Sequence, residues 1–258
     1  MSLKVAHLDF YFGKRQILKD ISFEAHRGEF LSILGPNGVG KSTLFRCILN
    51  LLKPSAGSVE IDGRKVAQMT AQELARSIAY IPQYHHPTFN YSVLDMVLMG
   101  TASQLGALAT PGKAQIEVAK SALERRHISH LAEQPYGFCS GGEKQLCLLA
   151  RAIAQQAKIL VMDEPSASLD FGNRIRVMQT VRSLVKNGYA VVQTTHDPEQ
   201  AFMYSDKILA MHDGQVLAWS TPQEVMQAGL MSTLYGMDVE VHSLNDDKVR
   251  VCVPANSL

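Results

Sequence analysis

Residues Gly35-Pro36-Asn37-Gly38-Val39-Gly40-Lys41-Ser42-Thr43 have the spacing G-x-x-x-x-G-K-[ST], between an apolar run and a helical pattern. Glycines at these steps let successive backbone N–H groups turn inward onto phosphate oxygens. A helix opening at Lys41 adds its positive end. Lys41 brings an ammonium to the β- and γ-phosphates, and the Ser42 hydroxyl is a ligand for Mg²⁺. Further along, Ile159-Leu160-Val161-Met162-Asp163-Glu164 is an apolar run closing on two carboxylates. Asp163 suits direct or indirect support of Mg²⁺ beside Ser42. Glu164, one residue on, projects differently and can polarise a water for in-line attack. His196 follows a third apolar run, at the strand end where α/β sheets bind ligands, and can donate to a γ-phosphate. A solitary histidine is more often structural, so it gains meaning only beside the other two groups.

These residues need strands that end together and helices that start beside them. Apolar runs at 30–34, 159–162 and 190–194 read as buried strands, and 41–52, 71–77 and 173–186 as helices. Residues 3–10, 17–25, 57–61 and 78–81 read as further strands. The pattern predicts an α/β P-loop core with a mostly parallel sheet and an N-terminal antiparallel β subdomain. From 84 to 139 the texture becomes helical, with helices expected over 92–99 and 114–126 around a loop of small residues at 101–112. This is an inserted helical subdomain in one domain of residues 1–258, with core segments 1–83 and 140–235. A helix is expected over 144–155. The stretch 236–258 reads as a C-terminal extension with weak strand character.

The 258 residues carry 25 basic and 24 acidic side chains, net +1, without blocks of like charge, so nucleic acid is not an expected partner. No apolar run reaches the length that spans a bilayer, and Lys4, His7 and Asp9 interrupt any signal-peptide core. The expectation is a cytoplasmic protein that reaches a membrane only by docking. Cys47, Cys139, Cys147 and Cys252 form no C-x-x-C pair or zinc spacing and read as reduced thiols.

Cys139-Ser140-Gly141-Gly142-Glu143 resembles the signature motif of ATP-binding-cassette (ABC) proteins, usually Leu-Ser-Gly-Gly-Gln. Over about residues 3–225 the other motifs then fall into the family's order. Residues 35–43 match its phosphate loop, Gln83 its Q-loop glutamine and Asp163 its Walker B aspartate. Glu164 matches its catalytic glutamate, Ser168-Leu169-Asp170 its D-loop and His196 its switch histidine. Phe12 matches the aromatic residue that stacks on adenine, with Tyr11 as the competitor. The resemblance implies an ATPase coupled to transport that uses ATP and Mg²⁺, with Ser42, Gln83 and Asp163 around the metal. It implies a head-to-tail homodimer in which Ser140, Gly141 and Gly142 of one copy grip the γ-phosphate bound by the other. Cys139 for leucine, Glu143 for glutamine and Ala167-Ser168 for Ser-Ala depart from the usual pattern.

Residues 91–100 and 166–173 resemble importer subunits for metal chelates such as iron-siderophore, haem and cobalamin. That implies two copies of this chain beneath two permease subunits at the cytoplasmic face of the inner membrane, fed indirectly by a substrate-binding protein. An exporter ATPase is the alternative. A soluble cassette protein usually carries two cassettes or a long coiled-coil insert, and neither fits here. An unrelated P-loop kinase leaves residues 140–142 and His196 unexplained. Cys139 is expected either at the dimer seam, where alkylation blocks closure, or as a small buried apolar side chain. His85 and His86 lack a third ligand and the spacing of a metal site.

Overall fold

The computed structural model describes residues 2–83, 89–106 and 109–255. His85 and His86 lie outside the described residues. The chain forms two compact units, one of Met1–Gln68 with Val185–Leu258 and the other of Met69–Leu184.

The first unit opens with β1 (Ser2–Phe12), β2 (Arg15–His26), β3 (Phe30–Leu34), α1 (Lys41–Ile48), β4 (Ala56–Ile61) and β5 (Arg64–Lys65). Four of these strands form an antiparallel sheet in the order β2-β1-β4-β5. β1 buries Leu3, Val5, Leu8 and Phe10. The three-residue step from Val5 to Leu8 would send Leu8 to the wrong face of a regular strand. His7 takes a φ of +49° and the pairing with β2 shifts register there, so a bulge restores the face.

The second unit contains α2 (Ala71–Ser77), β6 (Ile78–Ile81), α3 (Val93–Leu98), α4 (Lys113–Glu124), α5 (Gly141–Ala154), β7 (Ile159–Asp163) and, up to Leu184, α6 (Phe171–Lys186). β6 and β7 pair in parallel, and all five residues of β7 are buried. α3, α4 and α5 pack on one another. Helix starts in this unit are written in the sequence: Thr70 with Glu73, Ser92 with Asp95 and Ser140 with Glu143 each form a capping box. At the end of the chelate-importer-like segment, a Cβ on Gly100 would strike the Arg151 carbonyl, so only glycine lets that turn lie against α5.

The chain then returns to the first unit with β8 (Ala190–Thr195), α7 (Pro198–Tyr204), β9 (Lys207–His212), β10 (Gln215–Ser220), α8 (Pro222–Val225), α9 (Ala228–Tyr235), β11 (Val239–Leu244) and β12 (Val249–Pro254). Within this unit the strands run β10-β9-β3-β8. β3 pairs in parallel with β8 and β9, and β10 is antiparallel to β9. β3 and β8 are buried along their whole length, which is why they read as continuous runs rather than alternating ones. Inside, Gln193 Nε2 donates to Ser32 Oγ at 2.9 Å, while Gln193 Oε1 is buried without a hydrogen-bond partner among the described residues.

Three sequence expectations shift. α1 ends at Ile48 rather than 52, because Asn50 turns left-handed at φ +56° and the N–H groups of Leu51 and Leu52 both return to the Arg46 carbonyl. α5 begins at Gly141 rather than 144, because Ser140 caps it. Part of the expected loop after 101 is a 3-10 helix over Met99–Gln104. The weak strand character of the C-terminal stretch belongs to an antiparallel hairpin, β11 with β12.

Candidate nucleotide-binding and hydrolysis site

The phosphate loop leaves β3 and enters α1 in the first unit. Its first glycine is set by close approach: a Cβ on Gly35 would lie 2.5 Å from the Met211 carbonyl oxygen of β9. Gly38 and Gly40 take φ values of +83° and +110°, which L side chains rarely adopt. The loop curls around Lys41, whose Nζ donates to the Gly35 carbonyl at 2.7 Å and to the Pro36 carbonyl at 3.1 Å. Lys41 is buried, whereas Asn37, Gly38 and the Ser42 side chain in the first turn of α1 are exposed. Val39 is buried and Thr43 half-buried behind them. The Gly35 N–H donates to the Thr195 carbonyl at 3.3 Å, which ties the loop to the end of β8 and to His196 beyond it. His196 is exposed.

Phe12 and Tyr11 end β1 on opposite faces. The Phe12 ring packs edge-on against Phe10 with centroids 4.8 Å apart. It still leaves 51% of its surface exposed, so it is held in place with a face available for stacking. A pocket of about 220 Å³ beside the phosphate loop is lined by Arg15, Gln16, Lys19, Gly38, Val39 and Asp213.

The remaining candidate residues lie in the second unit. Asp163 closes β7 and is buried. Glu164 follows with a φ of +44°, a left-handed backbone at a non-glycine residue. That strain is held by the surrounding turn. Gln83, just past β6, donates from Nε2 to Glu164 Oε2 at 3.2 Å. Both line a pocket of about 140 Å³ with Gly141, Lys144, Ser168 and Leu169. β6 and β7 thus bring the glutamine and the glutamate, 81 residues apart, into contact at their shared end.

The signature segment begins α5. The Ser140 N–H and hydroxyl both donate to Glu143 Oε2 at 2.7 Å. These bonds, the hydroxyl's first, hold the Glu143 carboxyl below its ordinary pKa. Glutamate at this position therefore works on its own helix start. Asp170 likewise caps α6: its carboxylate accepts from the Asn173 N–H at 2.9 Å and from Asn173 Nδ2 at 2.6 Å, which lowers its pKa. Asn173 in turn occupies the space that a Cβ on Gly142 would take. Sequence reasoning gave Asn173 no role. Its spacing of three from Asp170 is the signal that was present.

Cys139 is 4% exposed; it accepts a weak contact from Gln134 at 3.7 Å, and burial raises its thiol pKa. The buried-apolar alternative fits this chain alone. Among the described residues no helix is long and apolar enough to cross a membrane. Nor, among them, do three or more His, Cys, Asp or Glu side chains gather as metal ligands.

Residues 18–167 match the family model described as ABC transporter. The probable iron chelatin transport ATP-binding protein of Helicobacter pylori is 34% identical over 97% of this chain and 99% of its own length. A putative metal-chelate type ABC transporter in an inward-facing conformation matches with a TM-score of 0.87 at 30% identity, over 98% of this chain and 96% of the other. The ADP conformation of MJ1267, an ATP-binding cassette of an ABC transporter, matches with a TM-score of 0.80 at 28% identity over 90% of this chain and 95% of the other. With the phosphate loop, the Gln83–Glu164 contact and the signature helix start already in place, this chain belongs to the ATP-binding subunits of ABC transporters.

Proposed function

We propose that the chain is the ATP-hydrolysing subunit of a membrane importer for a metal chelate, acting as a head-to-tail homodimer beneath two permease subunits. The observation that carries this reading is the reach of the metal-chelate type likeness. It extends over nearly the whole chain, whereas the likeness to the MJ1267 cassette stops short of that. Cargo choice then belongs to the permease and its binding protein, and the chain docks peripherally on the cytoplasmic side.

In this reading Lys41, whose ammonium the loop carbonyls hold, contacts the β- and γ-phosphates. The N–H groups at the start of α1 face the same anion. Phe12 stacks on adenine. Ser42, Asp163 and Gln83 offer hard oxygen donors, the chemistry that suits Mg²⁺ rather than a thiophilic metal. Were Mg²⁺ held by these residues, it would supply neutralisation of charge on the phosphates. Glu164 accepts the proton of the attacking water, and Gln83 holds its carboxylate until nucleotide arrives. His196 donates to the γ-phosphate. From the second copy, Ser140, Gly141 and Gly142 supply donors at a helix start, and Asp170 keeps that segment seated through Asn173. Glu143 releases the Ser140 hydroxyl as the phosphate replaces its carboxylate.

The test is uptake. A strain lacking the chain is offered iron-siderophore, haem and cobalamin, then complemented with the wild type or with Lys41→Ala. Loss of uptake of one chelate, restored only by the wild type, is expected. Wild-type uptake of all three by the lacking strain refutes the cargo class.

A further inference from the structure

His196 lies in the short link between β8 and α7, and its backbone is held from three directions. On the strand side, the Thr195 carbonyl accepts from Gly35 of the phosphate loop. On the helix side, the Asp197 N–H donates to Thr195 Oγ1 at 3.1 Å, and the Asp197 carboxylate caps α7 by accepting from the Gln200 N–H at 2.9 Å. The carbonyl of His196 itself accepts from the Tyr235 hydroxyl at 3.2 Å, from 39 positions further along the chain.

Tyr235 ends α9, and the segment around it keeps that helix against α7 and β9. Met231 and Leu234 are buried with Phe202 of α7 and Val239 of β11. His212 Nδ1, at the end of β9, lies 3.3 Å from the Leu234 carbonyl oxygen. Gly236, at φ +67°, returns its N–H to the Ser232 carbonyl at 2.9 Å, and the Val239 N–H donates to Ser232 Oγ at 2.9 Å. From β12, Arg250 places its guanidinium 5.3 Å from the Phe202 ring centroid and donates to the Gln223 and Met226 carbonyls at 2.7 and 2.9 Å. Asp247 fixes Arg250 with bonds of 2.7 and 2.8 Å. Burial of the Tyr235 phenol raises its pKa, so it remains a protonated donor through neutral pH. A donor on a residue's own carbonyl fixes the peptide plane beside its Cα, and so the direction in which its side chain leaves the backbone.

We propose that Tyr235 is a positioning residue for His196, and that the C-terminal segment from α9 through β12 braces the histidine for ATP turnover through this one hydroxyl. The proposal rests on the assignment of His196 to hydrolysis. It gives the C-terminal stretch a role in the reaction that its sequence did not reveal.

The experiment compares the full-length wild type, Tyr235→Phe, His196→Ala and the double variant. It measures kcat and KM for ATP separately and takes a melting curve of each protein. Tyr235→Phe keeps the ring and removes one donor. Its kcat should fall about fivefold, the weight of one hydrogen bond, with KM within about twofold. The double variant should be no slower than His196→Ala. Wild-type kcat in Tyr235→Phe, with His196→Ala impaired, overturns the brace. So do multiplying losses in the double variant, which also decide the matter if Tyr235→Phe melts earlier. Wild-type turnover in His196→Ala overturns the proposal by removing its premise, and is distinguishable because that single variant shows it alone.

Discussion

Glu164→Gln replaces one oxygen by nitrogen at a side chain whose Oε2 accepts from Gln83 at 3.2 Å. The new amide oxygen can accept the same bond, so the pocket that Gln83 and Glu164 share keeps its shape. Exchanging a charged acceptor for a neutral one costs about 1 kcal/mol in that bond, enough to lower the melting temperature by about 2–4 °C but not to unfold the domain. The effect on rate is of another order. A positioned general base contributes about 10²–10⁴-fold, or about 2.7–5.4 kcal/mol at 1.36 kcal/mol per decade. The expectation is a kcat reduced at least about a hundredfold, ATP affinity within a few-fold of wild type, and a melting temperature within about 4 °C of wild type. Phosphate release measures the first, a fluorescent ATP analogue the second and a thermal melt the third. ATP should also trap this variant as a dimer on a sizing column. Turnover within tenfold of wild type, from a folded protein that binds ATP, would remove Glu164 from the role of base.

Lys41→Ala deletes the ammonium that the phosphate loop encircles and should weaken ATP binding by about 10–100-fold, the weight of one charge-assisted hydrogen bond; unchanged affinity in the same titration counts against the cradle. Gly142→Ala drives a methyl into Asn173 and should cost about 1–3 kcal/mol, seen as a lower melting temperature that Asn173→Ala partly restores. The folded pKa of Glu143 lies below its ordinary 4.5, so its capping bonds are complete above about pH 4.5. They are lost as pH falls through the depressed value; melts from pH 3 to 7 should show a steeper acid loss for wild type than for Glu143→Gln, and parallel curves refute it. Burial raises the Cys47 thiol to about 11 and the Cys147 thiol to about 12, and also raises Cys139. Maleimide at pH 7 should therefore leave ATPase activity largely intact, and rapid inactivation relieved by Cys139→Ala would restore that thiol to a dimer seam.

Much of the chemistry is local and therefore legible in the chain. The glycines of 35–40 specify their own backbone, and Ser140 with Glu143 specifies a helix start three residues earlier than apolar periodicity suggests. The capping box at Ser92 and the apolar runs of β3, β7 and β8 are equally local. Less legible were a helix end and the C-terminal hairpin. α1 stops early because Asn50 turns left-handed, although Leu49, Leu51 and Leu52 around it are good helix formers. The hairpin β11–β12 reads weakly in sequence because little of it is fully buried: Val239 alone of β11 is buried, and Val249 to Val253 of β12 are half-buried one after another.

By itself the sequence determined the kind of chemistry, because phosphate recognition by a glycine loop, a lysine and a helix start is a property of nine consecutive residues. Only the tertiary structure decided which distant groups meet. Gln83 reaches Glu164 because β6 and β7 lie in parallel register, and Tyr235 reaches His196 because the C-terminal segment folds over α7. Such contacts are made between segments whose separation along the chain carries no signal. They are set by strand pairing and by the burial of side chains that look like ordinary core when read in order.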